Sequence, residues 1–442
     1  MSHKDLIIHP KYIVPIVPRN SVLTEHSVVV TAGVISAIMP TAQARLLSAA
    51  KHVELPEQAL LPGFVNCHGH SAMTLLRGYA DDYPLMDWLQ NHIWPAENKF
   101  VNADFVQDGT DLALAELLQS GTTTFSDMYF FPNVTAGRAD RAGLRAQIAF
   151  PVIDVATAWA ADTETYITKG LALRDQYRHD DRIEIIFGPH ANYTVSEATL
   201  SHVATLAHEL DAGIQIHLHE TKHEVLMSVK SIGERPIAQL SRIGLLGPRT
   251  QCVHMTALSD HDIDTLTASG AQVIHCPRSN MKLASGICPT QKLLARGVNV
   301  ALGTDGAASN NRLNMLSELQ CAALLGKVGS EDATAISAMD ALEMATLRGA
   351  RALGYGDLIG SIEVGKQADL IAIDMSSAAM KPMYNVISQL VYATNGSEVT
   401  HSWVDGKPLM QDRQLTTIDV EAVIRRAEHW REKLSQFDST AR

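Results

Sequence analysis

The chain has 442 residues, 46% hydrophobic and 19% charged, a globular composition that excludes a disordered or collagen-like protein. At ~150 residues per domain, that length suggests about three domains, or one large barrel with an attachment. Its 36 basic against 48 acidic residues give a formal net charge of -12, which argues against a nucleic-acid binder, whose basic face must meet phosphates.

The first stretch, MSHKDLIIHPKYIVPIVP, is apolar but interrupted by His3, Lys4, His9, Lys11 and three prolines. It lacks the unbroken apolar region and cleavage site of a signal peptide. Tyr12–Val17 and His26–Val30 are rich in Val and Ile, with turn residues Pro18, Asn20 and Gly33 nearby, and predict short strands. Beyond residue 62 short apolar strands alternate with longer helical patterns. The predicted strands are Gly63–Cys67, Thr122–Asp127, Arg145–Val152, Ile183–Gly188, Gly213–His217, Gln251–His254, Gln272–His275 and Val298–Gly303. Segments between them, such as ADFVQDGTDLALAELLQSG and EATLSHVATLAHELDAG, space apolar residues at i, i+3, i+4 and end on glycine. Eight strand–helix units predict a parallel barrel. From about Gly360 the chain returns to strands: GSIEVGKQADLIAIDM alternates turn and β-branched residues, and Val399–Val404 followed by Asp405-Gly406 predicts a hairpin. After Ile418 the pattern is a charged helix with an apolar seam (EAVIRRAEHWREKL). No run of about 18 apolar residues occurs, so no membrane span is expected. The five cysteines (Cys67, Cys252, Cys276, Cys288, Cys321) contain no C-x-x-C, and predict free thiols in a cytoplasmic protein.

The 19 histidines point toward chemistry, because imidazole is the commonest metal ligand and a ready proton shuttle. In a barrel of this kind catalytic groups sit just beyond the strands. His68 and His70 follow the first predicted strand in NCHGH, where Gly69 permits a bend. His217 ends the fifth, His254 ends the sixth, and Asp305 follows the eighth in LGTDG. Taken singly, an H-x-H pair arises by chance, a lone histidine is more often a satisfied core residue, and an aspartate is often a turn residue. Five such groups at strand ends are hard to dismiss, and imidazoles with a carboxylate suit a zinc or iron ion with room for water. Glu220, three residues beyond His217, shares that mouth and could move a proton. Strand alternation turns His219 away, toward packing.

The runs PGFVNCHGH, IHLHE, CVH, HCPRSNMKLASGICP and LGTDGAASNN resemble the amidohydrolase superfamily. The branch they are most similar to is the adenosine-type deaminases acting on 5'-methylthioadenosine and S-adenosylhomocysteine, relatives of the s-triazine hydrolases. MTLLRGYADDYPLMDWLQNHIWPAE (Met73–Glu97) is the run most particular to that branch. The resemblance implies a distorted (β/α)8 barrel over residues 62–359. It also implies a small β-sandwich built from 1–61 and 360–442, with a terminal helix. It implies one divalent metal ion, zinc, held by His68, His70, His217 and Asp305. Binuclear members carry a modified lysine after the fourth strand. Here that strand ends Gly188-Pro189-His190, which fits the mononuclear form.

By the same resemblance Asp305 and His254 orient a metal-activated water and accept its proton, while Glu220 protonates the ring nitrogen beside C6 of adenine. Glu97 would meet the ribose hydroxyls, His190 the purine and sugar, Trp88 would shape the wall, and Ser309 would lie near the substrate tail. Without the resemblance Glu97 reads as a solvated carboxylate and Trp88 as core. Members that accept S-adenosylhomocysteine carry arginines after the third strand, whereas Ala149–Tyr166 here contains no Arg or Lys. The tail pocket is therefore expected to favour a methylthio group over a zwitterion, with adenosine a further substrate. One alternative is a hydrolase of a free base or s-triazine, against which Glu97 speaks, since a free base has no ribose. A second is a non-catalytic metal-binding protein, which has no need of Glu220. The expected partner is a small nucleoside, without nucleic acid or membrane. A homo-oligomer is only the family habit.

Overall fold

The computed structural model describes residues 4–441. The first three residues of the amino-terminal stretch and the final residue of the chain lie outside the described residues, as do the side chains from residue 438 onward. The barrel strands, numbered here in chain order, are β1 (Phe64–Asn66), β2 (Thr122–Met128), β3 (Arg145–Val152) and β4 (Ile183–Pro189). They continue as β5 (Ile214–Leu218), β6 (Thr250–His254), β7 (Gln272–His275) and β8 (Val300–Leu302). Each pairs in parallel with its neighbour in sequence. Cys67 N–H donates to Leu302 O at 2.9 Å and links the last strand to the first. Every residue of β2 and β3 is buried, as expected for strands covered on both faces. Intervening helices start at side-chain caps, such as Asn102 on Phe105 N and Ser196 on Thr199 N.

Strands from both chain ends form a separate nine-stranded sheet. Its seam is Ala49–Pro62, which runs parallel to Lys4–Ile13 on one side and antiparallel to Leu370–Asp374 on the other. Leu6, Ile8, Val28, Leu55, Leu370 and Trp403 form its own core. The amino-terminal strand stops at Ile13 rather than running through Val17, because Pro15 has no N–H to give a ladder. Only Leu370–Asp374 of the stretch from Gly360 is strand. The hairpin after Val404 is present, with φ of 49° at Asp405 and 69° at Gly406, the double left-handed turn that matches strand twist. The terminal helix Val420–Ala441 lies on the helix Ala103–Gln119, where the Trp430 and Phe105 rings meet at 5.2 Å and Arg426 pairs with Asp108 and Asp111. Among the described residues no helix is long and apolar enough to cross a membrane.

Arg145 ties the end of the barrel away from the site to the outer sheet. Its side chain is 2% exposed, with Nε 3.1 Å from Asp369 Oδ2 and Nη2 2.7 Å from Asp405 Oδ1. Arg145→Ala strands the buried Asp369 carboxylate and is expected to cost about 3–5 kcal/mol in chemical denaturation. A loss under about 1 kcal/mol would place this pair among the inconsequential surface bridges.

Candidate active site

The ends of β1, β5, β6 and β8 bring His68, His70, His217, His254 and Asp305 to one point at the mouth of the barrel. The backbone helps aim them: His254 and Asp305 have φ of 77° and 62°, conformations that strain a non-glycine residue and recur at functional sites. The bend at His68–His70 does not depend on Gly69. That residue lies outside the left-handed region, and a Cβ there would meet nothing closer than 3.6 Å. The glycine that matters is Gly303, whose Cβ would fall 2.8 Å from His68 Cβ.

Three rings are fixed from behind by oxygen acceptors. His68 Nδ1 lies 2.8 Å from Gln215 Oε1, His70 Nδ1 2.5 Å from Met128 O, and His217 Nδ1 2.8 Å from His190 O. Gln215 is oriented in turn, its Nε2 donating to Cys67 O, Ser126 Oγ and Gln251 Oε1. In its neutral form each of the three rings keeps its proton on Nδ1 and turns a bare Nε2 inward; against its burial, the adjacent Asp305 carboxylate pushes His70 up to about 9, so that ring gives up a proton when a cation takes the pole. His217 Nε2 and His68 Nε2 are 3.2 Å apart, and Asp305 Oδ1 lies 3.2 Å from His70 Nε2 and 3.4 Å from His68 Nε2. Donors about 2.0–2.1 Å from a tetrahedral zinc ion stand about 3.3 Å from one another. Bare nitrogens and a carboxylate at that spacing repel unless a cation sits among them, so these residues fit a single divalent metal.

The other oxygen of Asp305, Oδ2, accepts from Ser279 Oγ at 2.6 Å and Ser309 Oγ at 2.8 Å. Glu220 lies beside this pole, with Oε2 3.8 Å from His254 Nε2 and Oε1 accepting from Ser285 Oγ at 3.0 Å. Burial, with the charge of Asp305, pushes its carboxyl up to about 8, so it holds a proton at neutral pH. Glu224 fixes the Glu220 corner by accepting from the backbone N–H of His219 and of Glu220. His219 is fully buried, its Nδ1 3.0 Å from Ala257 O and its Nε2 accepting from Ile237 N, and it does not line the cavity.

Above the pole opens a cavity of about 810 Å³. Trp88, Glu97, His190 and Ser309 all line it. Trp88 begins a π-helical turn, Trp88–Ile93, and is anchored by its indole N–H to Ala80 O at 3.0 Å. Burial pushes His190 down to about 4, and its Nδ1 meets Thr194 Oγ1 at 2.8 Å. Ser309 is committed to Asp305, at the metal pole. Glu97, half-buried, accepts from Tyr129 Oη at 2.6 Å, and its burial pushes the carboxyl up to about 7. Sequence reasoning missed Tyr129, although it follows β2 directly and the strand-end rule covers it. It also missed Ser279 and Ser285, which lie within the quoted HCPRSNMKLASGICP run.

The profile of the amidohydrolase family matches residues 59–409. A 5-methylthioadenosine/S-adenosylhomocysteine deaminase from Teredinibacter turnerae is 52% identical over 431 residues, covering 97% of this chain and 98% of its own. A solved adenosine deaminase from Xanthomonas campestris with bound zinc superposes with a TM-score of 0.97 at 48% identity, over 98% of this chain and 99% of that one. An atrazine chlorohydrolase from Arthrobacter aurescens shares the fold, with a TM-score of 0.90 at 20% identity over 96% of this chain and 99% of that one. Metal-binding geometry at the strand ends, profile and whole-length relatives agree: the chain belongs to the amidohydrolase family.

Proposed function

We propose that this protein is a zinc-dependent aminohydrolase that converts 5'-methylthioadenosine, and adenosine with it, to the inosine analogue and ammonia. The observation that carries the reading is the buried Glu220 carboxyl, its Oε2 3.8 Å from His254 Nε2, set beside a pole of three imidazole nitrogens and a carboxylate. The full-length relatives named above act on this class of nucleoside or carry zinc.

His68, His70, His217 and Asp305 would hold the ion, whose chemistry is to acidify a water at neutral pH. Asp305 and His254 would orient the attacking water, whose proton passes to this pole as its oxygen bonds to C6. Glu220 delivers its own proton to N1, so the ring accepts the electron pair displaced from the C6–N1 double bond. The amino group then leaves C6 as ammonia with the proton held at Asp305 returned to it, and the ring carbonyl forms as the C6 hydroxyl gives its remaining proton back to Glu220. His190 faces the purine and sugar, Trp88 shapes the wall, and Glu97, held by Tyr129, accepts from the ribose hydroxyls. Ser309 steadies Asp305 and borders the substrate. The five cysteines are free, four of them buried, which suits a reducing cytoplasm.

The test is ammonia release and the adenine-to-hypoxanthine absorbance change over a panel of nucleosides, free bases and s-triazines, before and after chelation. Methylthioadenosine turnover is expected, lost with a strong chelator and restored by zinc. Turnover confined to bases or triazines, or unchanged in metal-free protein, would overturn the reading.

A further inference from the structure

One short stretch touches all three reacting side chains from behind. The helix Pro277–Lys282 and the turn after it carry Ser279, Asn280 and Ser285, all buried. Ser279 Oγ donates to Asp305 Oδ2 at 2.6 Å, and Ser285 Oγ donates to Glu220 Oε1 at 3.0 Å. Between them, Asn280 Nδ2 lies 3.0 Å from His254 Nδ1. The three side chains belong to the SNMKLAS run.

We propose that this turn is a positioning element for the reaction, in which Asn280 donates to His254 Nδ1 and so holds that ring as the Nε2–H tautomer. Its catalytic consequence rests on the deaminase reading, whereas the tautomer itself does not. The contrast with the other rings carries the inference. His68, His70 and His217 each set Nδ1 against an oxygen that can only accept, and present a lone pair at Nε2. His254 sets Nδ1 against an amide nitrogen that can only donate. A neutral ring that accepts at Nδ1 carries its single proton on Nε2. Although His254 approaches His68 and His217 closely enough to complete a cluster, its inward nitrogen is then a donor and not a ligand.

This changes the proton route. His254 cannot take the proton of the attacking water, because its Nε2 is already protonated, so that proton passes to Asp305. His254 instead donates a hydrogen bond to the oxygen as it bonds to C6 and gathers charge, the arrangement expected of a preorganised donor. Ser285, donating to Oε1 of Glu220, leaves Oε2 as the oxygen that bears the transferable proton.

Neutron diffraction from crystals of the zinc-loaded protein in D2O tests the assignment directly. Deuterium is expected on Nε2 of His254 and on Nδ1 of His68, His70 and His217; deuterium on Nδ1 of His254 would overturn it. Asn280→Asp replaces the donor with an acceptor and should invert the tautomer. A wrong tautomer at a catalytic histidine lowers kcat by orders of magnitude, so a loss of roughly 100-fold or more is expected. KM should stay within about threefold and the zinc content unchanged, since no ground-state contact or ligand is removed. A folded Asn280→Asp protein with near-normal kcat would refute the positioning role. If that variant does not fold, Ser285→Ala replaces it, with an expected kcat loss of roughly 10-fold and the alkaline limb of kcat displaced; no change in either refutes the role. Deuterium on Nε2 in a protein that deaminates none of the panel would leave the tautomer standing and defeat the deaminase reading instead.

Discussion

Replacing Glu220 by glutamine is expected to lower kcat by roughly 10²–10⁴-fold while the bound metal stays in place. The carboxyl is not among the groups that converge on the metal pole; its Oε2 is 3.8 Å from His254 Nε2 and its Oε1 is occupied by Ser285. Glutamine keeps the size and can still accept from Ser285, so the pocket should hold its shape. What it loses is the acidic proton. In the native protein burial, with the nearby charge of Asp305, pushes that carboxyl up to about 8. The acid form is the donor, so the sign is fixed: turnover is supported below about pH 8 and falls as the pH rises through that value. The native kcat should show this alkaline limb, and the residual activity of Glu220→Gln should not. Metal analysis of the purified variant, with kcat measured across pH, decides the matter. Near-normal kcat, or loss of the metal along with activity, would remove Glu220 from the proton-delivery role.

The parts of the site that were legible in the sequence share one property: they are chemically distinctive residues at strand ends. His68, His70, His217, His254 and Asp305 could be found because a parallel barrel fixes where catalytic groups stand, and each lies at or just beyond the end of a predicted strand. The groups that aim them were not legible. Gln215, Ser279, Asn280 and Ser285 are ordinary polar residues, and their meaning lies in which atom they face across the barrel. Gln215 and His68 are partners 147 positions apart in the chain, a relation no local pattern encodes. Gly69 drew attention beside the histidines, yet Gly303, just past the strand that closes against β1, makes the room for His68. The outer sheet failed in a related way. Ala49–Pro62 is its seam, but its two prolines and mostly exposed first half hide the alternation that signals a strand. Its identity comes from pairing with both chain ends, which only the folded chain brings together.

The tail end of the cavity sets the second large expectation: 5'-methylthioadenosine should exceed S-adenosylhomocysteine in kcat/KM by roughly 10–100-fold. The wall there is the segment after β3, where Ile153, Val155, Ala156 and Ala158 line the cavity. No arginine or lysine is among the lining residues, and the acidic groups are Glu97, Asp154, Glu220 and Asp305. Asp154 is already engaged, its carboxylate accepting from Thr163, Thr199 and the Ser196 backbone. A methylthio group meets apolar surface and surrenders no hydrogen bonds to water. A homocysteine tail brings a carboxylate that loses water and finds no cation, and a missing hydrogen bond to a charged group is worth about 1.5–3 kcal/mol. Partial solvent access at the mouth, where Val155 is 60% exposed, keeps the penalty at the lower part of that span. The same exposure makes the converse experiment practicable, since a surface substitution there costs little stability. Val155→Arg should raise kcat/KM for S-adenosylhomocysteine roughly 10-fold and leave methylthioadenosine within about twofold, because only the zwitterion gains a partner. Paired kinetics on the native protein and this variant provide the check. Equal kcat/KM for both substrates in the native protein would mean that the tail lies elsewhere and that the segment after β3 does not set the preference.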